Sequence, residues 1–250
     1  MSVTAACPRV VAHRGLSGLC PENTLPAFAA AVSLGVDEIE LDVFRSADGE
    51  LVVCHDPTID RTTTGRGRVG DWAWPDLSKL DAGGWFHKDW TGVPLCRLQD
   101  VFLQFGDRVV MNVHLKEPGP DGAVVRRTRE LAHEHGVCRS IYIAGERDVL
   151  EAAVAVAPDL ERCCLEGQGD GTIVEQAIAF GCRRVQFWSP HFDDGMIARA
   201  HGHGILCNLF YSDDPDEARA LYGRGIDAIL TNYANRVLPV AGGLRRCSGG

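Results

Sequence analysis

The stretch Asp37-Glu38-Ile39-Glu40-Leu41-Asp42-Val43 alternates carboxylates with aliphatic residues. In an extended strand, side chains at i and i+2 share a face. Ile39, Leu41 and Val43 therefore point one way, and Glu40 and Asp42 the other. Two like charges on one face repel unless a cation or a protonated group lies between them. The neighbouring runs supply candidates: His13-Arg14-Gly15 closes an earlier apolar run, and His55-Asp56 follows a later one.

Outward from that strand the chain alternates strand-like and helix-like pieces. Strands are expected at Arg9–His13, Glu38–Val43, Arg108–Leu115, Ser140–Ala144, Leu160–Leu165, Arg184–Trp188, Ile205–Phe210 and Ala228–Thr231. Helices are expected at Leu25–Leu34, Leu98–Phe105, Gly122–His135, Arg147–Val156, Thr172–Phe180, Asp194–His201 and Pro215–Tyr222. This rhythm predicts a parallel α/β sheet. Eight strands in 250 residues favour a closed (β/α)8 TIM barrel over an open doubly wound sheet. No G-x-G-x-x-G follows the first strand, which counts against a dinucleotide fold. The first helix is punctuated by Asn23 as a cap, Pro26 in the first turn and Gly35 past the end. Asp56 to Leu95 breaks the rhythm: it holds four of the five tryptophans (72, 74, 85 and 90) and shows no period. It is too long for an ordinary loop and reads as an inserted cap, residues 56–95, against one end of the barrel. No linker or composition shift marks a second domain, so residues 1–250 read as one.

Composition narrows the function. Hydrophobic residues make up 45% of the chain, as in globular proteins, and the formal charge is -9. That balance and a pI near 5.4 argue against nucleic-acid binding. No apolar run approaches the roughly 18–20 residues needed to span a bilayer, so no stable membrane insertion is expected. Met1 to Pro8 lacks a charged n-region followed by an apolar h-region. The ten cysteines form no C-x-x-C pair, and several sit in apolar runs. They read as reduced, buried thiols of a cytoplasmic protein. Cys163 and Cys164 do not suit one zinc ion, because adjacent strand residues face opposite ways. A homo-oligomer is compatible with the chain.

In such barrels the active site lies at the C-terminal ends of the strands. His13 ends the first strand, and Glu40 and Asp42 the second. Asn112, His114 and Lys116 alternate along the third. Gln186 and Trp188 end the sixth, Asn208 and Phe210 the seventh, and Asn232 follows the eighth. Polar groups from several strands thus aim at one mouth.

With these residues the chain resembles the glycerophosphodiester phosphodiesterase family. The likeness rests on Ala12-His13-Arg14-Gly15, Pro21-Glu22-Asn23-Thr24, Glu40-Leu41-Asp42, Asp48-Gly49, His55-Asp56 and Asp60-Arg61-Thr62-Thr63. It continues with Pro94-Leu95 and with Gly225-Ile226-Asp227-Ala228-Ile229-Leu230-Thr231-Asn232, and covers nearly the whole chain. It implies a TIM barrel with a small inserted cap, a divalent metal, and hydrolysis of a glycerophosphodiester to sn-glycerol 3-phosphate and an alcohol. It also implies that His13 and His55 act as acid and base, and that the substrate's own glycerol hydroxyl attacks to give a cyclic phosphate that water opens. Three positions depart from the family pattern. His114-Leu115-Lys116 stands where Glu-x-Lys is usual, Thr231-Asn232 where Thr-Asp is usual, and Asn208-Leu209-Phe210-Tyr211 replaces a tryptophan-threonine.

Residue chemistry runs parallel to the resemblance. Histidine changes charge near neutral pH, which suits proton transfer by His13 and His55; the plainer reading is two structural histidines. Glu40 and Asp42 are hard oxygen ligands for one divalent ion such as Mg²⁺, Ca²⁺ or Mn²⁺, or else they pair with Arg14 or Lys116. His114 either adds a nitrogen ligand, which Ca²⁺ disfavours, or contacts the phosphate. Arg14 and Lys116 suit a phosphate clamp. Glu22 shapes the first loop or reaches the metal or the glycerol hydroxyls. Arg61 contacts the diester or pairs with Asp60. Trp188, Asn208, Phe210 and Tyr211 wall a glycerol pocket or pack the barrel. Two other functions remain open: a lyase that stops at the cyclic phosphate, and a non-catalytic binder of phosphorylated ligands.

Overall fold

The structure, a computed structural model, describes residues 7–247. Its strands are β1 (Arg9–Ala12), β2 (Glu38–Arg45), β3 (Leu51–Val53), β4 (Val110–Leu115), β5 (Ile141–Gly145), β6 (Glu161–Cys164), β7 (Arg184–Trp188), β8 (Leu206–Phe210) and β9 (Ala228–Thr231). Eight of them run parallel, and β1 closes the ring. It pairs with β2 at Val11↔Glu38 and with β9 at Val11↔Leu230. The expected (β/α)8 barrel therefore forms. β3 is an addition that pairs antiparallel with the end of β2 through Val43↔Val53. Three residues are too short a run to declare a strand by period.

The helices are α1 (Leu25–Leu34), α2 (Trp74–Leu77), α3 (Leu98–Phe105), α4 (Ala123–Glu134), α5 (Arg147–Val156), α6 (Ile173–Ala179), α7 (Asp194–Gly202), α8 (Pro215–Arg224) and α9 (Ala234–Cys247). α9 goes unrecognised in the sequence because Pro239 lies inside it. It nonetheless buries Val237, Val240 and Ala241, a helical i, i+3, i+4 set. At α1 the capping residue is Thr24, whose hydroxyl accepts from Ala27 N at 3.4 Å. The cap expected at Asn23 thus falls one residue later. Asn23 sits at φ 57 and spends its amide on Asp42 instead, at 2.9 Å.

The strands bury two different faces. Outward-pointing Ile39, Leu41, Val43, Met111 and Val113 join Phe28, Leu98 and Phe102 of the surrounding helices in the main apolar core. Each such side chain contributes about 1.5–3 kcal/mol by leaving water. The inside of the barrel is largely polar. At its floor the Glu38 carboxylate accepts from Arg184 at 2.9 Å, Arg9 at 3.1 Å and the Tyr142 hydroxyl at 2.7 Å. Arg184 also donates to Glu161 at 2.7 Å and lies 4.2 Å over the Tyr142 ring. Cys163 packs inside the barrel with Tyr142 and Ala144, while Cys164 joins the outer core, as their adjacency requires. The nine cysteines whose side chains are described are all free.

Residues 56–95 fold as short turns around α2 with a small core of their own. Ile59, Val69, Leu77, Ala82 and Leu95 pack there with Val52 and Cys54, flanked by Trp72 and Trp74. Ala47 N donates to Trp72 O at 2.9 Å, and Trp74 N donates to the Asp48 carboxylate at 3.0 Å. These bonds fasten the segment to the outer end of β2, beside the barrel mouth. No described helix is long and apolar enough to cross a membrane. The expectation about a leader at Met1 to Pro8 falls mostly outside the described residues.

Candidate active site

The turn after β1 places the first residues of the site. Gly15 has φ +79, and a Cβ there would lie 2.7 Å from the Ala27 carbonyl carbon, so only glycine fits. Arg14, at φ 55, accepts the left-handed conformation that costs a non-glycine residue about 1–2 kcal/mol. That conformation goes with a bond from Arg14 N–H to Glu40 Oε2 at 3.0 Å. The Arg14 side chain meets Glu22 at 2.9 Å, and its Nε lies 3.3 Å from Asp42 without hydrogen-bond geometry.

β2 and β4 place the acidic centre. Their register sets Glu40 opposite Asn112 and Asp42 opposite His114. Glu40, Asp42 and His114 each offer one ligand atom, all within 4.8 Å of one another. Asp42 is surrounded by basic groups: Lys116 Nζ at 2.8 Å, His114 Nδ1 at 3.2 Å and Arg14 Nε at 3.3 Å. Burial alone would raise its pKa, but His114, Lys116 and Arg14 together hold it well below the usual carboxylate range. Glu40 has no such escort. Burial and the neighbouring Asp42 charge push its carboxyl well above that range, against the pull of Arg14 and Lys116. His114 Nδ1 lies between a donor, Lys116 Nζ at 3.0 Å, and an acceptor, Asp42. Burial, then Lys116, lowers its pKa against the pull of Asp42. A buried carboxyl pair with one unescorted member, beside an imidazole and lining a cavity, fits a divalent cation.

The two histidines flank this centre in unlike surroundings. His13 is buried, with Nδ1 2.8 Å from Asn232 Oδ1 and Nε2 3.9 Å from Glu40. Burial and then Arg14 lower its pKa to about 4. His55 is more open, and its Nδ1 lies 2.6 Å from Asp56. Arg61 binds Asp56 at 2.6 Å and grips Glu22 with two bonds of 2.8 and 2.9 Å. Of the two readings of Arg61, the pair with Asp60 does not form; Asp60 instead accepts from Gly67 N at 2.8 Å. Glu22, read as shaping the first loop or reaching the metal or the glycerol hydroxyls, bridges Arg14 and Arg61. Burial would raise its pKa, but the two arginines lower it.

A cavity of about 600 Å³ opens at the mouth, lined by His13, Arg14, Glu40, Asp42, His55, His114, Lys116, Trp188 and Phe210 among others. Of the residues singled out in the sequence, Glu22, Arg61, Asn112, Tyr211 and Asn232 are not among its lining, and neither is Asn208. That residue is fully buried a layer lower, where its Nδ2 donates to the Tyr142 hydroxyl at 3.2 Å. It shares a face with Phe210 but lies two residues deeper in the barrel. Trp188 is half exposed on the rim. Sequence reasoning passed over Asp213 and Ser17 beside Asn232, and Gln168, Glu146 and Glu166 on the cavity side. Asp213 carries no signal that separates it from Asp214, the cap of α8. A second grouping, His201, Cys207 and Asp227, lies toward the opposite end of the strands. There Asp227 Oδ2 already takes Cys207 N at 2.6 Å and His201 Nε2 at 2.9 Å, a tie between α7 and the barrel.

A (β/α)8 barrel with paired histidines, cations and carboxylates at its mouth defines the class of barrel phosphodiesterases. The chain belongs to the glycerophosphoryl diester phosphodiesterase family, whose model matches residues 13–236, and is a phosphodiesterase of that class. It is 38% identical over 251 residues to a glycerophosphodiester phosphodiesterase of Bacillus altitudinis, covering 93% of this chain and 97% of that one. It is 41% identical over 139 residues to a glycerophosphodiester phosphodiesterase of Caldanaerobacter subterraneus subsp. tengcongensis. That match covers 53% of this chain and spans little more than half, 57%, of the relative's length. Among solved structures, an Oleispira antarctica phosphodiesterase in complex with the product sn-glycerol-3-phosphate matches with a TM-score of 0.83 at 26% identity, covering 94% and 96% of the two chains.

Proposed function

We propose that this protein hydrolyses glycerophosphodiesters to sn-glycerol 3-phosphate and an alcohol, with a divalent cation at Glu40, Asp42 and His114 and with His13 and His55 as base and acid. The observation that carries the reading is the convergence of both histidines, Arg14, Lys116 and the Glu40–Asp42 pair on one cavity. The cation, when bound, supplies positive charge for the phosphoryl oxygens. Arg14 and Lys116 supply more of it as a clamp on the phosphate, and Trp188 and Phe210 wall the glycerol side. Asn208 is left to interior packing.

His13, held neutral by burial, takes the proton from the substrate's glycerol hydroxyl at Nε2. That oxygen bonds to phosphorus as the bond to the alcohol breaks. His55 has Nδ1–H engaged by the Asp56 carboxylate, so as the imidazolium it hands its Nε2 proton to the departing alkoxide. The two histidines then exchange roles, and water opens the cyclic phosphate. Phosphorus NMR of a turnover mixture tests this sequence. Glycerol 3-phosphate as end product, with a cyclic phosphate detectable before it, is expected. A cyclic phosphate that accumulates as the end product would instead make the protein a lyase, and binding with no turnover in any divalent metal would make it a binder.

A further inference from the structure

Behind His13 lies a chain of bonds with only one self-consistent arrangement of hydrogens. Asp213, just past β8, accepts from Asn232 N and Thr231 Oγ1 at 2.8 Å each, and from Asn232 Nδ2 at 3.0 Å. A carboxylate can only accept, so the NH₂ of Asn232 must face Asp213. The amide oxygen must then face His13, 2.8 Å from Nδ1, where Ser17 Oγ also approaches it at 3.0 Å. Because that oxygen can only accept, His13 must carry its hydrogen on Nδ1. The lone pair is left on Nε2, on the side of Glu40.

We propose that Asp213 and Asn232 are positioning residues for His13: Asp213 orients the Asn232 amide, and the amide selects the Nδ1–H tautomer and holds the ring. The proposal rests on the reading of His13 as the base. It accounts for asparagine at position 232, since an aspartate there would set a second carboxylate about 3 Å from Asp213. It also makes the pair exchangeable. With asparagine at 213 and aspartate at 232, the relocated amide oxygen takes the bonds from the Thr231 hydroxyl and the backbone N–H of position 232. Its NH₂ then donates to the relocated carboxylate, which in turn accepts from His13 Nδ1–H.

The test compares Asp213→Asn, Asn232→Asp, the double exchange and His13→Ala, with glycerophosphocholine as substrate and well below each melting temperature. Each single change should lower kcat about 10-fold or more with KM within a few-fold, as for other residues that orient a working histidine. The double exchange should return kcat to within about 3-fold of wild type. Nitrogen-15 NMR of the wild type should report His13 as the Nδ1–H tautomer at neutral pH, a readout independent of turnover and of whether any variant folds. An Nε2–H signal overturns the proposal. So do single variants at wild-type kcat beside an inactive His13→Ala, and a folded double variant no better than the single ones. An active His13→Ala removes the reading of His13 as base, and the tautomer measurement still decides the geometry.

Discussion

One strand carries three acids into the barrel at three depths, and they live differently. Glu38, at the floor, is enclosed by Arg184, Arg9 and the Tyr142 hydroxyl. Asp42, at the mouth, is held by Lys116, Asn23 and Arg14. Glu40, between them, has the Arg14 backbone N–H and no cation of its own within bonding distance. The floor is a completed network, and breaking it leaves buried charges uncompensated. The middle and mouth keep one charge unresolved beside a cavity, which is where chemistry on a charged substrate needs it. Completeness of pairing, more than burial, separates Glu38 from Glu40.

Breaking the floor should have the largest effect. Glu38→Gln strips the buried Arg184 of one of its two carboxylates, and should cost about 3–5 kcal/mol of unfolding free energy. Activity per folded molecule should stay within a few-fold. A loss under about 1 kcal/mol in urea titration would mean that the floor network is not the stabilising element.

Breaking the mouth should invert that pattern. His13→Ala and His55→Ala should each lower kcat by about 10²-fold or more, while the melting temperature changes little. Either variant within a few-fold of wild-type kcat would strike that histidine from the proposed mechanism.

Glu40 sharpens the contrast through pH. Its carboxyl titrates above the ordinary range in the folded protein, so the native state holds that proton more tightly than the unfolded chain. The resulting stability is complete below about pH 4 and is lost as pH rises through the raised value. In chelator, Glu40→Gln should therefore melt a few degrees above wild type at pH 8, with the gap closing toward pH 4. The lowered His13 value gives wild type an opposite slope between about 6.5 and 4, but the variant shares it and the difference cancels. Equal stability of the two proteins at every pH would mean that Glu40 is not the unresolved charge.

The finest change concerns His114. A neutral nitrogen ligand in place of a carboxylate leaves the site one unit less negative and favours Mn²⁺ over Ca²⁺. His114→Glu should move the preference back toward Ca²⁺. Metal-stripped wild type and variant, each refilled with Mg²⁺, Ca²⁺, Mn²⁺ and Zn²⁺, would check this; an identical ranking would remove His114 from the ligand set.

Local chemistry made much of this legible. The i, i+2 alternation of Glu40 and Asp42 against Ile39 and Leu41 assigns a wall with one apolar side, and the His-Arg-Gly and His-Asp runs mark strand ends. Partner choice was less legible. Asn23 and Thr24 both suit a helix cap, and the turn geometry decided between them. Arg61 has Asp60 next to it, yet it reaches Glu22 across 39 positions. Asn208 and Phe210 share a strand face, but depth in the barrel puts one in the floor and the other in the cavity.

Periodicity and residue chemistry thus settled the eight barrel strands, the closed barrel and the residue types gathered at its mouth, because those follow from spacings of two to four residues along the chain. Closure of the ring decided the rest. It brought Arg184 to Glu38 across 146 positions and Asn232 to His13 across 219. Which acid is neutralised, which remains unescorted and which histidine nitrogen is free depend on those distant neighbours, and no spacing within the chain encodes them.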